Sequence, residues 1–174
     1  GFMVYRKANG EIGSLDYREK APLAASKNMF LDEKGNVIKG KSTETPLAIG
    51  VPGTVAGVFE IHKKLGSLPI AEILKPVIEL AEKGVVVTKK QEARLNDYRA
   101  KIIKANGDKT LFANVFKEND VIKYPALATT LKRISKNGRD EFYKGETAKI
   151  LVKSTYPIVD ILILLSLDAV QLTQ

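Results

Sequence analysis

The hydrophobic period of this chain changes once, at Thr54, and that change limits its possible folds more than any other feature. Before Thr54 apolar residues alternate in short runs between turn signals; after it they recur every three or four residues. The pattern predicts a mixed α/β (α+β) chain, helix-rich after residue 54. Phe2 to Arg18 reads as a hairpin, Phe2 and Val4 leading to Ala8-Asn9-Gly10 and Ile12 to Tyr17 returning. Asn-Gly is a strong turn signal because both residues tolerate positive φ. A second turn is expected at Glu33-Lys34-Gly35-Asn36, between Met29-Phe30-Leu31 and Val37-Ile38, followed by a polar loop over 39–47.

Thr54 suits the cap of a first helix, with Val55, Val58, Phe59, Ile61 and Leu65 on its apolar face and Gly66 at its end. Ser67-Leu68-Pro69 opens a second, running to Gly84 with Ile70, Ile73, Leu74, Val77 and Ile78 on one side. Pro76 inside that pattern predicts a kink or a break. The two are expected to form an α-α hairpin. Val85-Val86-Val87 reads as an extended link. Thr88 and Gln91 resemble a capping box for a third helix reaching about Ala105, with Leu95, Tyr98 and Ile102 inward. Residues 106–124 read mostly as loop. Pro125 suits the first turn of a fourth helix, with Leu127, Leu131 and Ile134 on its core side and an end near Gly138. A fifth starts at Asp140 and continues through Ile150.

The 174 residues suffice for one domain with a real core. With no cysteine and a single histidine, a metal site would need carboxylates alone, and no such cluster stands out. No cofactor is expected. The net charge of +8 invites a nucleic-acid reading, but many bases have an acid one helical turn away, as in Glu60–Lys64, Glu79–Lys83 and Asp140–Lys144. The local excess is six of the 28 bases between Lys89 and Lys104, and these fan around a polar face. No nucleic-acid partner is therefore expected, and a basic helical binding module is the runner-up reading. The aliphatic run Pro157 to Leu172, interrupted by Asp160, Ser166 and Asp168, is too short and too charged to span a membrane. Exposed, it would favour self-association.

Three features bear on chemistry. His62 falls on an apolar helical face, where a lone histidine is more often a packed, hydrogen-bonded residue than a catalyst. Gly50-Val51-Pro52-Gly53-Thr54-Val55-Ala56-Gly57 precedes a helix, where free amides can cradle an anion. It lacks the Gly-Lys-Ser/Thr ending of a phosphate loop, which favours a tight turn with Gly57 allowing close packing against a sheet. Arg18 stands among acids in Leu15-Asp16-Tyr17-Arg18-Glu19-Lys20-Ala21-Pro22. A guanidinium is a planar fork suited to a carboxylate, although such arginines commonly form surface ion pairs.

Taken together, these segments resemble the gamma-glutamyltransferase family. Gly1-Phe2-Met3 looks like the end of its Gly-Gly-Phe segment. Leu15 to Pro22, with Ala24-Ala25 and Met29-Phe30-Leu31-Asp32, resembles its Asp-Phe/Tyr-Arg-Glu-x-Ala-Pro signature and continuation. Leu47 to Gly57 is similar to its Pro-Gly-Thr-Val-Ala-Gly motif, and Leu68-Pro69 through Pro76, Ala81 and Gly84 to the helical segment after it. Asn137-Gly138 with Glu141-Phe142-Tyr143-Lys144-Gly145 resembles a further block. Five ordered blocks place 1–153 as a large-subunit-like region and 154–174 as an atypical aliphatic tail. Pro46 departs from the His or Tyr that many members carry there.

The resemblance implies part of an N-terminal-nucleophile hydrolase αββα sandwich, helices enclosing two sheets. It implies an enzyme that cleaves gamma-glutamyl amides such as glutathione and passes the acyl group to water or to an amino acid or peptide. The nucleophile is the N-terminal threonine of a small subunit cut from the same precursor. That threonine, the oxyanion donors and the alpha-amino contacts lie in sequence this chain does not contain, so the chain is expected to be an inactive N-terminal part of the large subunit. Arg18 is implied to grip the substrate alpha-carboxylate, with Glu19 orienting it. A cephalosporin acylase-like or polyglutamate-processing relative is the alternative within the superfamily. The family implies a periplasmic or secreted protein.

Overall fold

A computed structural model describes residues 1–23 and 25–155. Expectations for the aliphatic tail beyond Thr155, self-association included, therefore lie outside the described residues. The chain divides into two compact units, Gly1–Ala71 with Arg133–Gln174 and Glu72–Lys132.

The first unit opens with the expected hairpin. Strand β1 (Phe2–Arg6) pairs antiparallel with β2 (Ile12–Asp16), with Met3 opposite Leu15 and Arg6 opposite Ile12. Leu15 is buried, whereas Phe2, Val4 and Ile12 on the other face are exposed. The turn differs in detail from the expectation: Gly10 takes a positive φ (+89°) and Asn9 does not. Gly10 N–H donates to Lys7 O (3.0 Å) and Lys7 N–H to Glu11 O (2.8 Å), a tight turn followed by a left-handed glycine. Asn9 contributes its side chain instead, Oδ1 accepting from Glu11 N–H (3.1 Å). The second turn repeats the device. Asp32 Oδ1 accepts from the amides of Lys34 (2.9 Å) and Asn36 (2.8 Å), and Leu31 bridges Val37. These bonds, those to Asn36 first, hold the Asp32 carboxyl below its ordinary pKa.

Helix α1 (Thr54–Leu65) begins one residue earlier than a Thr54 cap requires. Gly53 is the capping position, and no side chain there bonds the free amides. The helix ends at Gly66 as expected, but with φ −71° rather than a left-handed turn. His62 explains the glycine: its imidazole lies where a Gly66 side chain would stand, and Nε2–H donates to Leu68 O (2.7 Å). The lone histidine thus secures a helix end. Within its unit α1 packs on β2 and on α5 (Arg139–Tyr143).

The continuous helix expected from Asp140 through Ile150 is not observed. The fifth helix stops at Tyr143, and α6 (Glu146–Thr155) follows after Lys144-Gly145. Glu141 causes the division, because its carboxylate turns forward to cap the new helix, accepting from Thr147 N–H (3.0 Å) and Oγ1 (2.9 Å). The core of the unit gathers Val51, Ala56, Tyr143, Ala148 and Val152, with Val55 and Phe142 against it.

The second unit contains most of α2 (Ile70–Lys83), which runs through Pro76 without a break. Proline there removes the amide that Glu72 O would accept and crowds that carbonyl, yet the helix continues to Lys83. The supposed link Val85–Val87 is a strand, β3 (Val85–Val86), paired antiparallel with β4 (Val121–Ile122) inside the supposed loop. Asn119, at φ +73°, makes the turn into β4. Thr88 and Gln91 form the full capping box of α3 (Lys89–Asn106). Tyr98 is exposed rather than inward, and Arg99 takes the inner position, its Nε–H donating to Ala113 O (2.6 Å). Glu92 Oε2 accepts from Glu118 N–H (2.9 Å) on the same face. Helix α4 (Pro125–Asn137) begins at Pro125; Ala128 is buried in its first half in place of the expected Leu127, which is half-exposed. It runs into the first unit, where Ile134 is buried and Gly138, at φ +76°, ends it.

Candidate functional site

Strand β2 ends at Asp16 because its carboxylate Oδ1 accepts from Arg18 N–H (2.9 Å), turning the chain. The turn brings Tyr17 inward and leaves Arg18 and Glu19 outward. Arg18 Nη2–H donates to Glu19 Oε1 at 2.7 Å, with the two side chains 58% and 51% exposed. The guanidinium carbon also lies 6.0 Å from the Phe2 ring centroid. This bond raises the Arg18 pKa and lowers that of Glu19, so both stay charged. One terminal nitrogen is engaged and the pair faces water. The arrangement can present a planar donor fork to an incoming carboxylate.

The glycine-rich segment proves to be the bed of this turn. Lys20 N–H donates to Val51 O (3.2 Å), and Val51 N–H to Lys20 O (2.8 Å). A side chain at Gly53 would overlap the backbone oxygens of Tyr17 and Arg18, and one at Gly57 would overlap the Tyr17 side chain. A Cβ at Gly50 would lie 2.8 Å from Glu19 Cγ. All three glycines admit the close approach of the Tyr17–Lys20 segment; Gly57 packs closely, but on the Tyr17 side chain just beyond β2 rather than on a sheet. Two motifs distant in sequence, Leu15–Pro22 and Gly50–Gly57, form one structure.

Beneath the bed, Tyr143 is 1% exposed. Its hydroxyl donates to Pro52 O (2.8 Å) and accepts from Ala56 N–H (3.0 Å). Burial raises its pKa, against the opposing effects of the Ala56 amide and Arg139, whose guanidinium lies 4.7 Å from the ring centroid. The neutral hydroxyl is thus preserved. Further along, buried Glu141 accepts from Arg133 Nε–H (3.1 Å) and Asn137 Nδ2 (3.2 Å), besides Thr147. Burial pushes the Glu141 carboxyl up, but the bonds from Thr147, Asn137 and Arg133 together hold it below the ordinary value.

Arg18 and Glu19, the candidate site residues read from the sequence, lie side by side at the surface; Tyr143 and Glu141 are named in the sequence only as part of a motif block, with no role given to either. Among the described residues no cluster of three or more His, Cys, Asp or Glu could hold a metal, and no helix is long and apolar enough to cross a membrane.

The fold is that of the N-terminal-nucleophile hydrolases. It matches the gamma-glutamyltranspeptidase of Helicobacter pylori with a TM-score of 0.92 at 37% identity, over 99% of this chain and 51% of that one. The cephalosporin acylase of Bacillus halodurans shares the fold alone, with a TM-score of 0.76 at 21% identity over 99% of this chain and 33% of the other. The model of the Gamma-glutamyltranspeptidase family matches residues 1–157, and the chain belongs to that family. It is 46% identical to the glutathione hydrolase proenzyme of Pseudomonas aeruginosa over 155 residues, 87% of this chain and 27% of that protein. The chain thus spans about a quarter of the length of the curated relatives it matches.

Proposed function

We propose that these residues supply the carboxylate-binding part of a gamma-glutamyl transfer site. In this reading Arg18 holds the alpha-carboxylate of a gamma-glutamyl amide such as glutathione, and Glu19 keeps the guanidinium in plane. The acyl group passes through a threonine ester to water or to an amino acid or peptide acceptor. The threonine comes from the small subunit of the same precursor, so the 174-residue polypeptide alone is inactive. The compartment proposed is the periplasm or the exterior.

The observation that carries this reading is the outward Arg18–Glu19 pair seated on the Gly50–Gly57 bed. Arginine fixed in this way contributes binding and orientation rather than proton transfer. The kinship to gamma-glutamyltranspeptidases favours it over an acylase reading, which has the fold alone behind it.

The test compares two substrates of the full-length gene product, gamma-glutamyl-p-nitroanilide and 4-aminobutanoyl-p-nitroanilide, which lacks only the alpha-carboxylate. The first should be favoured in kcat/KM by about a hundredfold, the scale of charge-assisted hydrogen bonds. Equal turnover of the two would overturn the proposal. Residues 1–174 alone should release no p-nitroaniline, and turnover by them would place a nucleophile within this chain.

A further inference from the structure

We infer that Tyr143 is a positioning residue for Arg18, acting through the glycine bed. The inference rests on the carboxylate-binding role proposed for Arg18.

Helix α1 has no side-chain cap of its own, since Gly53 offers none and Thr54 already lies within the helix. An uncapped helix start leaves amides that water or a distant group must satisfy. Here the Tyr143 hydroxyl, 87 residues away in sequence, accepts from Ala56 N–H. Its own hydrogen goes to Pro52 O. One oxygen therefore spans the turn on both sides of Gly53, the residue on which the backbone oxygens of Tyr17 and Arg18 rest. Val51, next to Pro52, is laddered to Lys20.

The sequence of contacts is short and continuous: Tyr143 hydroxyl, Pro52 and Ala56, Gly53 and Val51, then Tyr17 to Lys20. Every residue in it lies in the same compact unit. Among the described residues Arg18 has no buried partner; its side chain meets Glu19 and the exposed Phe2 ring at the surface. Its backbone position is set from below, and Tyr143 is the buried polar group that fixes the bed's two flanks. The ring is held independently by Phe142 edge-to-face (centroids 5.0 Å apart) and by Arg139. Removal of the hydroxyl alone therefore leaves the packing in place.

The experiment is Tyr143→Phe in the full-length gene product, with Arg18→Gln beside it. In Tyr143→Phe, KM for gamma-glutamyl-p-nitroanilide should rise about tenfold while kcat changes less than about twofold, and 4-aminobutanoyl-p-nitroanilide should be handled as by the wild type. A structural role alone would lower the active fraction, hence kcat, on both substrates with KM intact, and that result overturns the inference. The two failures are separable. If Arg18→Gln leaves KM unchanged, the carboxylate reading itself fails; if Arg18→Gln raises KM and Tyr143→Phe does not, only the Tyr143 inference fails.

Amide exchange in the wild type provides a second test that needs no variant. The Ala56 and Lys20 amides should open as one unit, with protection factors within about tenfold of each other. Exchange at Lys20 faster than at Ala56 by about a hundredfold or more would show that the bed and the arginine turn move separately, contradicting the inference.

Discussion

Two arginine–carboxylate pairs stand in the same compact unit and serve opposite ends. Arg133 and Glu141 meet at 3.1 Å with side chains 26% and 6% exposed, and Asn137 and Thr147 supply further donors to the carboxylate. Arg18 and Glu19 meet at 2.7 Å, more than half exposed, as sequence neighbours on a turn. The shorter bond is the one that matters less to stability. Water screens the Arg18 pair, and little is lost if it opens. The Glu141 carboxylate is desolvated, so each of its hydrogen bonds is needed to offset that cost. An ion pair that must stay closed is buried and saturated; one that must admit a second carboxylate is left at the surface with its backbone fixed.

The largest expected effect lies on the buried side. Glu141→Ala leaves Arg133 without its buried carboxylate and Thr147 without its cap, and should cost about 3 kcal/mol or more in urea unfolding. Its pH dependence has a definite sign. The folded pKa of Glu141 is lowered, so its contribution is complete above the ordinary carboxylate value of about 4.3 and disappears as pH falls through the folded value. The stability gap between wild type and Glu141→Gln should therefore narrow on acidification. A gap that widened below that value would break the comparison.

Gly57→Ala should come next, at about 1–3 kcal/mol, because the new methyl overlaps the Tyr17 side chain. It sharpens the comparison by moving the bed without touching either ion pair. KM for gamma-glutamyl-p-nitroanilide should rise with the loss of stability, and an unchanged KM would mean that the arginine turn does not depend on its bed.

Most local signals in the sequence are met in the structure, Thr54 as a cap and Pro76 as a break being exceptions, whereas distant partners are not encoded locally. The Asn-Gly hairpin, the Thr88–Gln91 box, Pro125 at a helix start and Gly138 at a helix end each depend on neighbours within four residues. Arg18 and Glu19 stand out in the sequence as opposite charges side by side before Pro22, and their contact needs no distant partner. Thr54 was misread as a cap because the group that satisfies Ala56 lies 87 residues downstream. Val85 and Val86 carry no sign of Val121 and Ile122, since two-residue strands are defined only by their pairing. The split at Gly145 follows from a carboxylate turning forward to Thr147, which helical periodicity does not encode. Arg133, Asn137 and Glu141 do recur at intervals of four, a spacing that could have flagged the buried group had Gly138 not interrupted the helix.

Arg18→Lys tests the central claim most directly. An ammonium keeps the charge but cannot reproduce the planar fork. The variant should unfold at the same urea concentration as the wild type, while its preference for gamma-glutamyl-p-nitroanilide over 4-aminobutanoyl-p-nitroanilide falls by about tenfold or more. A preference equal to that of the wild type, in a protein of unchanged stability, would show that Arg18 does not grip the carboxylate.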